Sequence, residues 1–385
     1  MPALASTPPI RIVHVVDSLE PGGLERVTCD LAMAQSRQGH AVSVFSLMRT
    51  SGFKHELIEA GIPVIEGNKS RSLDLRLLSA LRNWVIAQRA DIVHAHNFVP
   101  NYHAALACMG LQRIPRPAQV CTIHDMGQRL AQRKLRWLFL ASLHRTQRVA
   151  MVGQRVHQRF VQDGLVSADR AMTVLNGIPV NRFHHAAADK AAARQALGVP
   201  AAATLIGCVG RLVPLKNHRR MVDVFAALQP QYPNLHLVII GDGECRDALR
   251  AQVNALGLAK QITLLGHHPN VASLLPAMDV FALPSQTEGL SIALLEACAS
   301  ELAIVATAVG GNPEIIQDQQ TGLLVPPDDN QALTKAIREL LDAPQRRAEL
   351  GQRARQWVAA NASDQALEQA YESCYREAIA HLQAA

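Results

Sequence analysis

Long apolar runs are missing from this 385-residue sequence. No window approaches the roughly 20 uninterrupted apolar residues that a membrane-spanning helix needs. The start, MPALASTPPI, has neither a basic opening nor an apolar core, so no secretory leader is expected. Aromatic residues make up only 4% of the chain and no recognised binding motif appears, which argues against nucleic acid as a partner. The seven cysteines include no Cys-x-x-Cys pair. An odd, scattered set reads as small core residues in a reducing compartment, so the expected location is the cytoplasm.

What is present is 49% hydrophobic residues, over a length that suits two domains with sizeable cores. Charge is unevenly divided. Residues 1–185 carry 22 Lys and Arg against 12 Asp and Glu, whereas the remainder carries 16 against 20. The basic half is open to two readings: a solvated surface, or attraction to an anionic surface or substrate.

Short β-branched runs alternate with helical patterns. IRIVHVV, AVSVFSL, DIVHAH, AQVCTIH and RVAMVG fall in the first half; ATLIGCVG, LHLVIIGDG, QITLLG, DVFALP and LAIVAT fall in the second. Continuous apolar strands separated by helices predict parallel sheets covered on both faces. Two such sets predict an α/β chain of two doubly wound, Rossmann-like domains, with a hinge near NGIPVNRFHHAAADKAAARQALG.

Open parallel sheets bind ligands beyond the carboxyl ends of their strands, so the residues that follow each strand matter. Gly22 and Gly23 form a turn opening a helix after the first strand, and His124 ends AQVCTIH. Arg211 and Lys216 follow LIGCVG, where they can converge on a diphosphate, Arg as a fork and Lys as a point charge. After DVFALP comes SQTEGLSIALLEACAS. Gly289, Leu290 and Ser291 are expected to start a helix whose free N–H groups and dipole suit an anion. Glu296 lies about 9 Å further along, in a run apolar on nearly every helical face. An embedded carboxylate without partners is costly, and two vicinal ribose hydroxyls would supply them. Glu288, just before the helix, would face a sugar on the other side of the diphosphate.

The segments GRLVPLKN, VIIGDGECRDAL, TEGLSIALLEA and AVGGNPEIIQDQQTGLLVPPDD, with EPGGLERV, DIVHAH, TIHD and VLNGIPVNRF upstream, together resemble a family 4 glycosyltransferase. This is the retaining, nucleotide-sugar-dependent group with the two-domain GT-B fold. The similarity runs over nearly the whole chain. It departs near Glu301–Ala303, where many relatives have Gly and Pro, and at Ser291, where proline is common. The resemblance implies two domains facing a central cleft: an acceptor-side domain over 1–185, a donor-binding domain over 186–360, and a C-terminal helix over 361–385 returning to the first. It implies a nucleotide-diphosphate sugar as donor, no cofactor, and transfer to an acceptor hydroxyl in surface polysaccharide or glycolipid synthesis. Arg211 and Lys216 would neutralise the leaving diphosphate and Glu296 would hold the ribose. Glu288 would contact the transferred sugar, and Gly22–Gly23 would close over donor and phosphate. His124 would stand near the sugar and the acceptor, a sugar or a lipid-linked sugar. Retention would follow from a front-side route without a dedicated nucleophile. A sugar-nucleotide epimerase and a non-catalytic nucleotide-sugar-binding protein are the alternatives.

Weaker motifs are set aside. GDGECRD has Arg246 where a dinucleotide fingerprint needs its third glycine. His94 and His96 lie on one strand face, but two ligands without a clear third read as structural. No Asp-x-Asp sequence occurs, so no metal is expected on the diphosphate. The segment Gln128–Arg145, read as one helix, places Arg129, Arg133 and Arg136 on one stripe with Trp137 nearby. It is either an amphipathic helix with a solvated basic edge or a contact with an anionic bilayer at the inner face of the membrane.

Overall fold

The structure, a computed structural model, describes residues 8–71, 74–111, 116–183 and 187–384. The chain divides into two compact units, Met1–Gly177 with Asp364–Ala385, and Ile178–Ser363. The boundary expected at residues 185 and 186 lies outside the described residues.

The first unit is built on seven strands: β1 (Arg11–Val16), β2 (Ala41–Ser46), β3 (Val64–Glu66), β4 (Ile92–His96), β5 (Ala118–Ile123), β6 (Thr146–Met151) and β7 (Ala171–Thr173). They form one sheet in the order β3-β2-β1-β4-β5-β6-β7, and every pair is parallel. β4 and β5 are buried at every position, which is why they read as continuous apolar runs. The polar residues inside them, His94, His96 and Thr122, must therefore find partners within the protein. The long Asp364–Ala384 helix packs on β5 and β6 of this unit and buries Tyr371 and Tyr375. Its first residue, Asp364, pairs with Arg37 at 2.7 Å.

The second unit has six parallel strands: β8 (Thr204–Val209), β9 (Leu235–Ile240), β10 (Ile262–Gly266), β11 (Val280–Leu283), β12 (Ala303–Thr307) and β13 (Leu323–Val325). Their order is β10-β9-β8-β11-β12-β13. Each sheet thus has one place where the strand order reverses, between β1 and β4 and between β8 and β11. In open α/β sheets such a switch point leaves a crevice at the strand ends, because the neighbouring connections leave on opposite faces.

All ten runs singled out in the sequence are strands. The three that pattern does not reveal, β3, β7 and β13, are edge strands of three residues each. Too short to show a period, they are fixed by pairing with β2, β6 and β12.

Candidate functional site

In the second unit the switch point carries the charged residues. Arg211 and Lys216 follow β8, while Glu288 through Ser291 follow β11, so the two groups flank the same crevice. Lys216 Nζ donates to Glu288 Oε1 at 2.6 Å. Ser285 Oγ donates to the same oxygen, also at 2.6 Å. Glu288 is buried, and its Oε2 accepts nothing from the described residues. Arg211 is exposed and carries no ion pair among the described residues.

Two layers of backbone hold this geometry. Thr307 Oγ1 donates to the Ser285 carbonyl at 2.6 Å, and Asn312 Nδ2 donates to the Thr307 carbonyl at 2.9 Å. Gly310 has φ of +50° and lies so close that a Cβ there would come within 1.9 Å of the Glu288 carbonyl oxygen. A side chain at Gly310 would push Glu288 out of place. On the other flank, Leu212 N–H donates to the Asp242 carbonyl at 2.8 Å, and a Cβ on Gly241 would fall 2.0 Å from Gly210 O. The glycines of GDGECRD thus let two loops touch and brace the Arg211 loop. His218 is buried beneath that loop, and burial lowers its pKa to about 4.

The helix after Glu288 runs from Ile292 to Ala299, with Ser291 as its N-cap accepting from Leu294 N–H at 3.4 Å. Gly289 and Leu290 precede it rather than forming its first turn. Glu296 differs from expectation in its surroundings. Leu294, Leu295, Ala297, Cys298 and Ala299 are buried, whereas Ile292, Ala293, Glu296 and Ser300 share a half-exposed stripe. Apolar composition hid that stripe, because Ile292 and Ala293 are apolar yet lie on the open side. Glu296 is therefore not an embedded carboxylate, and the desolvation cost argued from sequence is reduced.

In the first unit the corresponding place holds histidines. Gly22, extended at φ −169°, caps the Gly23–Arg37 helix that follows β1. His124 comes directly after β5, and its backbone N–H donates to Asn97 Oδ1 at 2.9 Å. Asn97 itself has φ of +69°, donates its backbone N–H to the Thr122 carbonyl at 2.7 Å, and reaches Asp125 at 3.4 Å. Asn97 was missed in the sequence, although a polar residue directly after a buried strand is the signal that marks it. Burial holds His124 down to about 3 and His14 down to about 4, so both rings are neutral.

His94 and His96 do have a third companion. His14 of β1 brings ligand atoms of all three within 4.8 Å of one another. Each of the six ring nitrogens nevertheless has a hydrogen-bond neighbour: His14 with His96 and Gln35, His94 with Tyr375 and Thr122, His96 with His14, Thr28 and His124. Each of these nitrogens thus has a neighbour with which it can share a proton. Six of the seven cysteines are buried and all are free.

Gln128–Arg145 is not one helix. A 3₁₀ turn at Gln128–Ala131 gives way to extended backbone at Gln132, and an α-helix runs from Arg133 to Ser142. The buried residues explain the break. Leu130 and Leu135 are five apart, so a continuous helix could not turn both inward along with Phe139. Arg129 consequently leaves the stripe and lies 4.0 Å from Asp17. Arg133, Lys134 and Arg136 remain exposed around Trp137, which is itself 67% exposed. Among the described residues no helix is long and apolar enough to cross a membrane.

With this geometry in place, comparison with known proteins gives concordant results. The family Glycosyl transferases group 1 matches residues 189–357, and Glycosyltransferase Family 4 matches residues 21–182. Each half of the chain is thus similar to a glycosyltransferase domain, and the fold is of the GT-B type. The fold agrees with that of Anabaena HepE, solved in complex with UDP and glucose: the TM-score is 0.84 at 22% identity, over 95% of this chain and 99% of that one. The lipopolysaccharide core biosynthesis mannosyltransferase LpsB of Rhizobium meliloti is 32% identical over 176 residues, 44% of this chain and 50% of that protein. The UDP-Gal:alpha-D-GlcNAc-diphosphoundecaprenol alpha-1,3-galactosyltransferase of Escherichia coli is 25% identical over 289 residues, 73% of this chain and 74% of that protein. The chain spans about half the length of most of the first curated relatives it matches.

Proposed function

We propose that the protein is a retaining, metal-independent glycosyltransferase that moves a sugar from a nucleotide-diphosphate donor to a hydroxyl of a lipid-linked saccharide, in cell-surface polysaccharide or glycolipid synthesis. The observation that carries this reading is the Lys216–Glu288 bond at the switch point of the second unit, beside an exposed arginine and a capped helix start. The carboxylate holds the lysine at 2.6 Å. An arriving diphosphate offers that lysine a stronger, doubly charged partner, while Arg211 adds a bidentate fork. The N–H groups around Gly289, Leu290 and Ser291 take a phosphate oxygen. Released from Lys216, Glu288 keeps its bond to Ser285 and turns its free oxygen to a sugar hydroxyl. Glu296, on the half-exposed stripe, takes the ribose.

The C1–O bond to phosphate breaks, and the acceptor oxygen bonds to C1 from the same face. The acceptor's proton passes to the departing phosphate oxygen, so neither an enzyme nucleophile nor a metal is needed. Arg211 and Lys216 stabilise the charge that grows on the leaving group. In the first unit, the Gly22–Gly23 turn serves the donor phosphate and His124 serves the sugar and acceptor. The Escherichia coli relative is named for a diphosphoundecaprenol acceptor, which supports a lipid-linked substrate here. The exposed Trp137 with Arg133, Lys134 and Arg136 forms a basic face suited to anionic lipid.

The test is a thermal-shift and transfer screen of purified protein against UDP-, GDP- and ADP-sugars, with and without EDTA. The true donor at about 100 times its Kd raises stability by about 2.7 kcal/mol. No stabilisation by any donor would remove the reading, and loss of transfer in EDTA would remove metal independence. Co-sedimentation with anionic vesicles, before and after Arg129, Arg133 and Arg136 become Ser, tests the membrane contact.

A further inference from the structure

Histidines of the first unit form a chain of ring-to-ring hydrogen-bond contacts, and the Gln35 amide at its end sets a direction for it. Gln35, on the Gly23–Arg37 helix, is fully buried. Its Nε2 donates to the Tyr375 hydroxyl at 3.0 Å, which leaves Oε1 to accept from His14 Nε2 at 2.8 Å. Neutral His14 then has a bare Nδ1, and it accepts from His96 Nε2 at 3.0 Å. Neutral His96 in turn has a bare Nδ1, which accepts from His124 Nε2 at 3.1 Å; Thr28 Oγ1, 3.3 Å from the same nitrogen, donates instead to the Leu24 carbonyl at 2.9 Å. The remaining nitrogen, His124 Nδ1, is buried without a hydrogen-bond partner among the described residues. A second branch agrees: the Tyr375 hydroxyl donates to His94 Nδ1 at 2.8 Å, and His94 Nε2 donates to Thr122 Oγ1 at 2.6 Å.

We propose that Gln35, His14 and His96 are positioning residues that fix the tautomer of His124, so that its Nδ1 is a bare acceptor reserved for a substrate hydroxyl. The reverse arrangement, with the Gln35 amide turned over, would flip every proton along the chain. It would also leave an N–H at His124 Nδ1 buried and unpaired, and orphaned buried donors are rarer than under-used acceptors. The preferred direction has a chemical consequence. A bare Nδ1 attracts O–H groups and repels phosphate or carboxylate oxygens, so His124 reads a neutral sugar position and not the diphosphate. Gln35 touches no substrate in this scheme; it acts through two rings.

This inference rests on the proposed role of His124, but its first test does not. Long-range ¹H–¹⁵N spectra of full-length protein labelled at histidine, with the His124 signals assigned by their loss in His124→Asn, report which ring nitrogens carry protons. The expected result at neutral pH is protonated Nε2 and bare Nδ1 for His14, His96 and His124. A protonated Nδ1 on His124 in the wild type overturns the proposal outright. Gln35→Met, which keeps the length and removes both polar ends, is expected to give mixed tautomers at His124 and to lower transfer by about tenfold, the scale of one misplaced hydrogen bond. An unchanged His124 tautomer in folded Gln35→Met overturns the role of Gln35. If that variant does not fold, the wild-type spectrum still decides the direction. Expected tautomers in a protein that transfers no sugar would support the relay and count against the functional reading alone.

Discussion

The two units share a parallel sheet with one reversal of strand order, and they equip that reversal in opposite ways. In the first, His14 on β1 and His94 and His96 on β4 straddle it as neutral, fully buried rings. In the second, Lys216 after β8 and Glu288 after β11 meet across it as a charged pair open enough to exchange partners. The topology provides the crevice in both cases, and the residues placed there decide what it can do. Neutral rings in a low dielectric orient protons, because each carries one proton and has fixed neighbours at both nitrogens. A lysine with a carboxylate partner and an exposed arginine nearby would, on the function proposed above, compensate a diphosphate.

The largest expected difference concerns acid. Burial pushes His14, His103 and His124 to between about 3 and 4, and His94 and His96 well below the ordinary value, all in the first unit. The second unit has His218 at about 4 and a weaker lowering at His236. These folded-state values lie below the unfolded value of about 6.5, so between the two the unfolded chain binds more protons and stability falls as pH drops. Above about pH 7 there is no effect. Each fully buried histidine then costs up to about 1.4 kcal/mol per pH unit below 6.5. Amide hydrogen exchange at pH 7.5 and pH 5 should show the first unit losing several kcal/mol of protection and the second far less. Equal losses in both units would break the contrast.

Next in size is the charged pair. Lys216→Ala is expected to lower transfer by about 10²-fold, as lost transition-state electrostatics do. Near wild-type turnover would take the lysine out of the chemistry. The two glutamates sharpen the division within the second unit. Glu296→Gln should weaken sugar nucleotide and free nucleotide alike, by about tenfold each, because both contain ribose. Glu288→Gln should slow turnover while leaving free-nucleotide affinity unchanged or slightly tighter, since it releases Lys216. Calorimetric titration of both ligands into both variants distinguishes the roles, and matching losses of nucleotide affinity would contradict them.

Much of this was legible in the sequence, unevenly and for physical reasons. Parallel strands buried on both faces leave apolar runs that cannot be mistaken, and residues at their carboxyl ends follow directly, so Arg211, Lys216, Glu288 and His124 could all be placed. Three kinds of feature could not. Edge strands of three residues carry no period. The side from which a residue is approached is not encoded by its own polarity, which hid the half-exposed stripe of Ile292, Ala293 and Glu296. Partnerships between distant segments, such as Gln35 with His14 and Tyr375, have no local signature at all. Polar residues inside apolar strands, His14 in IRIVHVV and Thr122 in AQVCTIH, show only that some partner must exist.

The smallest effect should be the one place where the two units behave alike. Arg89 and Glu301 each follow a helix in the left-handed region, at φ +47° and φ +58°. Each closes the same pair of bonds: Arg89 N to Ile86 O and Ala90 N to Val85 O in one unit, Glu301 N to Cys298 O and Leu302 N to Ala297 O in the other. That pattern normally ends in glycine, as it does in this chain at Gly39, Gly61 and Gly198. An L residue there pays a steric penalty of about 1–2 kcal/mol that glycine avoids, partly offset by the greater freedom of glycine in the unfolded chain. Arg89→Gly and Glu301→Gly are therefore each expected to raise stability by up to about 1 kcal/mol. Glu301→Gly should gain slightly less, because it gives up a 3.5 Å ion pair with Arg355 from a half-exposed position. Chemical denaturation of each variant, followed by exchange within its own unit, measures both. A gain in one unit and a loss in the other would mean that the backbone, like the chemistry, is used differently in the two halves.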